Sequence, residues 1–277
     1  MKIHSVSVLI AVPFIVIALI SGYAVFFKEN SVFLVLLIVS VILIVAIYTM
    51  QPHIDFLWYK KYPQLLEKKD RLFLERFSPF YLGLNDDQKE LFEKRISVFT
   101  RSKSFKLVTS ETVNMPEDFK IAIAVPAIQL TLRHNEFLYK NFDYFFAYNH
   151  PFPSPEIKVL HSVEINYEDR MTVFDIEMLI NSFNPANKLF NTGIYAFSGI
   201  FQHLNPKIVF DTLDNDLFWE KVKIISGFNK DFISLATGIE PESQFQILSV
   251  MFFTHNNATK SFLPVQYDQL RIIYNFA

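Results

Sequence analysis

From Val6 to Phe27 the chain reads VSVLIAVPFIVIALISGYAVFF without a charge; Lys28-Glu29-Asn30 interrupts, and SVFLVLLIVSVILIVAIYTM, Ser31 to Met50, is again uncharged. Each run is about the roughly 20 residues that cross a bilayer core as a helix. A cleaved signal peptide has an apolar run of only roughly 7–15 residues and a small-residue exit; the first run is longer, lacks that exit and is followed at once by a second span. The sequence therefore predicts a transmembrane helical hairpin, about 6–27 and 31–50, with residues 51–277 as a soluble domain. Pro13 is expected to kink the first helix, which a membrane helix tolerates when neighbouring groups take up the freed carbonyl.

The flanking bases orient this hairpin. Lys60, Lys61, Lys68, Lys69 and Arg71 follow the second span, whereas the tip holds only Lys28, beside Glu29. The positive-inside rule then places the tip outside and both termini in the cytoplasm, a multi-pass arrangement in the inner membrane, with Trp58 and Tyr59 near the headgroups.

Composition narrows the function classes. The chain has 277 residues, a formal charge of −2 and no cysteine. A charge so small sets up no field that would draw a polyanion, so nucleic acid is not an expected partner. The missing cysteine excludes disulfides, thiolate metal sites and a cysteine nucleophile together. The mean hydropathy of +0.22 is traced to the hairpin and argues against disorder. Without Lys2, Lys28 and Glu29 the soluble part carries a formal charge of −3, so attraction to the bilayer rests on the hairpin.

No internal repeat or linker divides residues 51–277, which predicts one domain. Helices are expected over about 54–77 and, after the start signal Asn85-Asp86-Asp87, through Phe99. Another should begin near Asn114-Met115-Pro116, with proline at an early helical position. Phe105 to Val108, Tyr144 to Tyr148, Ile157 to Leu160 and Thr172 to Phe174 are strand candidates. Helical character returns over about 176–183, 186–202, 214–225, 241–254 and from Val265 onward. The pattern is α+β, mostly helical with a small mixed sheet.

Five blocks in order carry a family likeness: LNDDQKELFEKRISVF, VNMPEDFKIAIAVPAIQLTL, FFAYNHPFPSP, FNTGIYAFSGIFQHLNP and QFQILSVMFFTHN. Together they resemble the zinc-dependent peptidases related to Mlc titration factor A. The resemblance implies a gluzincin-like metallopeptidase domain over most of the soluble part. It further implies a cytoplasmic setting and, as in the best-known relative, binding to a transcriptional repressor. The family site is a helix bearing H-E-x-x-H, whose two histidines hold zinc while the glutamate deprotonates bound water.

Here the family context stands at Asn191-Thr192-Gly193-Ile194, but the motif reads Tyr195-Ala196-Phe197-Ser198-Gly199. Both ligand positions, Tyr195 and Gly199, and the base position, Ala196, are changed. The family's further glutamate ligand and its tyrosine fall by alignment on Ser243 and Ala236. Glu242 stands one residue away. A catalytic zinc takes three protein ligands and an open position, so the resemblance implies a degenerate site with no zinc and no other cofactor.

The remaining candidates have bland readings beside the sharp ones. His203, eight residues from Tyr195, could be a relocated ligand together with Glu242. His150, His161 and His255 read as polar or capping histidines. No H-x-x-x-H, G-x-S-x-G or G-x-G-x-x-G spacing occurs. The acids Glu164, Glu168, Asp169 and Asp175, and Asp211, Asp214 and Asp216, read as solvated loop residues. Phe145, Phe146 and Phe152 are candidates to line an old substrate cleft whose edge could accept an extended segment by strand addition. The expected function is that of a membrane-anchored pseudopeptidase that binds a protein partner at the cytoplasmic face. An active metallopeptidase with relocated ligands and a structural subunit of a membrane complex are the alternatives.

Overall fold

The computed structural model describes residues 6–28, 31–109, 112–241 and 243–276. Two compact units divide the chain, residues 1–64 and 65–277.

The first unit is built on α1 (Val6–Lys28) and α2 (Ser31–Thr49). Both are long and apolar enough to cross a membrane, and only a small share of either is buried. A core helix of a soluble protein would be covered; here Leu9, Leu19, Phe26, Val32 and Ile42 face outward, while Ser7, Ser21, Ala24 and Ser40 are buried. Small residues let helix backbones approach closely, the usual packing of helices in lipid. Ser40 satisfies its hydroxyl within its own helix by donating to the Leu36 carbonyl at 2.8 Å.

A third helix, α3 (Gln51–Lys61), follows α2 after a single turn residue and belongs to this unit. Its Asp55 accepts from the Ser7 N–H at 2.9 Å and from the Ser7 hydroxyl at 3.2 Å. A carboxylate thus sits at the positive end of α1, where the helix dipole favours a negative charge. Trp58 is half exposed and lies tilted against Tyr62 with ring centroids 4.5 Å apart, whereas Tyr59 is buried. The single helix expected over 54–77 is two: proline disfavours helical backbone at the residue before it. Accordingly α3 stops ahead of Tyr62-Pro63, and α4 (Lys68–Phe77) starts afresh.

The second unit is α+β. Alongside α4 its helices are α5 (Pro79–Leu82), α6 (Asp86–Ser102), α7 (Glu117–Thr131), α8 (Ile176–Asn181), α9 (Thr192–Leu204), α10 (Asn215–Ser226), α11 (Lys230–Thr237), α12 (Gln244–Thr254), α13 (Asn256–Phe262) and α14 (Pro264–Ile273). Its strands are β1 (Ser104–Val108), β2 (Thr112–Asn114), β3 (Tyr144–Tyr148), β4 (Val163–Asn166) and β5 (Met171–Asp175), in the order β2-β1-β3-β5-β4. The central three are parallel, and β2 and β4 join antiparallel at the edges.

The register aligns buried with buried. Phe105, Phe145 and Thr172 form one row and Leu107, Ala147 and Phe174 the next, all facing the helices as strand alternation requires. Phe197 of α9 meets Phe145 at 5.6 Å and Phe174 at 6.1 Å. Gly193 lets α9 approach α7, since a Cβ there would lie 2.6 Å from Pro126 Cγ.

Several local expectations shift. Proline 116 caps α7 from outside rather than entering it. The helix expected from Ala186 starts only at Thr192, because Lys188 adopts a positive φ of 51° and Asn191 caps the true start, accepting from the Ile194 N–H at 2.9 Å. Residues 157–160 form no strand; instead His161 bridges to Phe152. The strand lies just beyond, at β4, in a stretch read as loop.

One buried polar cluster ties the N-terminal helices of this unit together. Glu93 of α6 takes both Nε and Nη2 of Arg71 at 3.0 Å each and the Tyr81 hydroxyl at 2.6 Å.

Candidate functional site

Helix α9 carries Tyr195, Ala196 and Gly199, the residues that the sequence resemblance sets on zinc-site positions. Asn191 fixes its first turn, and residues four apart then share a face, which puts Tyr195 and Gly199 together. Ala196 and Phe197 turn the other way and are fully buried.

The absence of a side chain at Gly199 is used by its neighbours. A Cβ there would lie 2.1 Å from Nε2 of Gln246 and 2.8 Å from the Tyr167 hydroxyl. Gln246 of α12 therefore lies across the helix and donates from Nε2 to the Tyr195 carbonyl at 3.3 Å. Ser243 caps α12, its hydroxyl accepting from the Gln246 N–H at 3.3 Å. Ala236 is buried at the end of α11, and its carbonyl accepts from the Ser162 N–H at 2.9 Å. His203 is on the last turn of α9 with its ring 4.9 Å from Tyr167. Glu242 lies outside the described residues. Among the described residues no three His, Asp or Glu side chains converge as a metal site.

Above this helix runs a groove of about 610 Å³ between β4 and the turn into α12, lined among others by Tyr195, Tyr167, Ser243, Gln246, Val163 and Ile239. Strand β4 is its edge, with β5 as its one strand neighbour among the described residues. Asp175 donates its N–H to the Ser162 carbonyl. By the alternation of an antiparallel ladder, Glu164 and Asn166 also bond inward to β5, while Val163 and Ile165 turn their N–H and C=O groups to the open side. A row of backbone donors and acceptors on an open edge is what an added strand pairs with.

The expected cleft phenylalanines divide. Phe145 and Phe152 are buried at 0% and 1% exposure and belong to the core rather than to a cleft, while Phe146 is only partly covered and does not line the groove. The alternation of β3 decides this, since adjacent aromatic residues on a strand face opposite sides.

Two acids read as solvated are not. Glu164 lines the groove with its side chain only 9% exposed, and its Oε2 lies 3.1 Å from Nε2 of the fully buried His161. The other ring nitrogen of His161 faces the Val159 carbonyl at 2.9 Å. Asp175 caps α8, accepting from the Met178 N–H at 3.2 Å, and burial pushes its carboxyl above the usual range. Asp211 and Asp214 do have local roles at the surface: the first accepts from Gln269, the second caps α10.

Gln246, Tyr167 and Glu164 are the groove residues that sequence reading missed, with His161 buried behind Glu164. His161 and Glu164 are close in sequence, and a strand placed at Val163 would have brought them together. No protein-family model matches this chain, and no curated protein sequence matches it either.

Proposed function

We propose that the chain is a membrane-anchored, catalytically degenerate relative of the Mlc titration factor A peptidases that works by binding an extended segment of a protein partner at the cytoplasmic face. The observation that carries this reading is the occupation of the Gly199 position. Gln246 and Tyr167 fill the space a second ligand side chain would need, while the groove and the open edge of β4 above them persist. A gluzincin-like ancestry supplies the reason for such a groove, and the five sequence blocks supply the reason for that ancestry. The two apolar helices serve as the anchor in this reading, with the orientation set by the lysines after Met50.

Photo-crosslinking from the groove tests the proposal. A crosslinking residue at Ile239, on the groove wall, should capture a partner in cells, and one at exposed Val209 should not. Ile165→Pro removes one outward N–H and should abolish the capture, since its own ladder bonds to β5 do not depend on that group. Capture only from positions within residues 6–50 would favour a structural subunit. About one tightly held zinc per chain, lost in His203→Ala along with peptidase activity, would establish the relocated metal site instead.

A further inference from the structure

The groove along β4 is lined by charge of one sign. Glu156, Glu164 and Glu240 contribute to its wall, and no lysine or arginine does. Glu240 pairs with Lys230, which lies outside the lining, whereas Glu156 is exposed and forms no ion pair among the described residues. Glu164 is the least exposed of the three, with only 9% of its side chain open to solvent. Its Oε2 lies 3.1 Å from His161 Nε2, and its Oε1 has no partner among the described residues.

The register of β4 decides what an added strand would set beside this carboxylate. Val163 stands opposite Phe174 and Ile165 opposite Thr172, so both share the face that the helices cover, and Glu164 belongs to the other face. A strand docked on the open edge therefore places one side chain beside Glu164 and that residue's two neighbours beside Val163 and Ile165. Docking also strips water from the carboxylate. Taking a charge out of water is costly unless an opposite charge replaces it. With no lysine or arginine in the wall, the replacement has to arrive with the incoming segment.

Granted the proposed reading of this groove as the site for a partner's extended segment, we infer that the segment carries an apolar-basic-apolar triplet, with its lysine or arginine beside Glu164. The basic group donates to Glu164 Oε1 in a charge-assisted hydrogen bond. The apolar neighbours cover Val163 and Ile165, and Glu156 and Glu240 extend the attraction along the groove. An acidic residue in the middle place would set like charges side by side, which disfavours the pairing.

The test uses the full chain in nanodiscs of zwitterionic phosphatidylcholine, with empty discs as the blank and isothermal titration calorimetry as the readout. The probes are three end-capped nonapeptides, Thr-Val-Thr-Val-X-Val-Thr-Val-Thr, with lysine, glutamine or glutamate as X. The lysine peptide should bind at least about tenfold more tightly than the glutamine peptide, and the glutamate peptide most weakly. Glu164→Gln should cut the lysine preference to about threefold or less. Glu156→Gln combined with Glu240→Gln, both at exposed positions, should weaken the lysine peptide at least about twofold at low salt. Affinities of the three peptides within about twofold of one another would overturn the inference while leaving the segment-binding reading in place. No saturable binding of any peptide would overturn both. A lysine preference unchanged in Glu164→Gln would overturn the inference alone, and if that variant does not unfold cooperatively, an unchanged lysine-peptide affinity in the double variant would do so.

Discussion

Substituting alanine for Gly199 puts the packing of Gln246 and Tyr167 over this glycine to the most direct test. The new Cβ would come within 2.1 Å of Gln246 Nε2 and 2.8 Å of the Tyr167 hydroxyl, where carbon prefers about 3.5–4.0 Å to its non-bonded neighbours. The amide must swing away and give up its bond to the Tyr195 carbonyl, worth roughly 1 kcal/mol. Forcing extra volume into a packed site typically costs about 1–3 kcal/mol, and alanine returns roughly 1 kcal/mol of helix propensity. The net loss should be roughly 1–3 kcal/mol, or a few degrees in the thermal midpoint by the usual conversion for a domain of this size. The assay is thermal unfolding of the full chain in nanodiscs, followed by near-ultraviolet circular dichroism, for the wild type, G199A, Q246A and the double variant. In the Gln246→Ala background the obstructing amide is gone, and G199A should cost at least about 1 kcal/mol less than in the wild type. Equal costs in the two backgrounds, or a G199A protein as stable as wild type, would refute the reasoning.

Other expectations follow from neighbouring features. Glu93→Ala should destabilise by about 2–3 kcal/mol in the same unfolding assay, since it strands the Tyr81 hydroxyl, while Arg71→Ala should cost less because Arg71 is already partly in water. Gly227 and Gly238 both have positive φ, but a Cβ on Gly227 meets open space, whereas one on Gly238 falls 2.6 Å from His161 Cβ. Accordingly G227A should cost only about 1 kcal/mol of backbone strain and G238A clearly more. Burial raises the Asp175 carboxyl above its reference of 3.8. The folded protein therefore holds this proton to higher pH than the unfolded chain does. The penalty for ionising it is absent below 3.8 and is complete only above the raised value. Asp175→Asn, which keeps the cap, should be the more stable protein at pH 7, and its advantage should fade as the pH falls toward 3.8; an advantage that grows on acidification would reverse the assignment.

The elements legible in the sequence are those whose signal is local. Two uncharged apolar runs announce α1 and α2, and Asn85 with Gln88 writes the capping box of α6 in adjacent letters. Strands β2 and β4, three and four residues long, carry no such pattern; Glu164 and Asn166 look like loop residues because their strand character comes from pairing with β5. At the candidate site, spacing alone places Tyr195 and Gly199 on one face of α9. That Gln246 covers Gly199 depends on how α12 crosses α9, which no local pattern encodes. Phe145 was ambiguous for a related reason: a run of aromatic residues on a strand does not say which face is the core.

The bond between Asp55 and Ser7 has a consequence in time. The two residues are 48 positions apart, so at roughly 5–20 residues per second the cap is made some 2–10 s after the end it serves. Until then the Asp55 carboxylate is missing from the end of α1 that it faces in the finished unit. Completion of the first unit therefore waits for α3 to leave the ribosome. Formation of the first unit and emergence of the chain beyond α2 become one coupled event in synthesis.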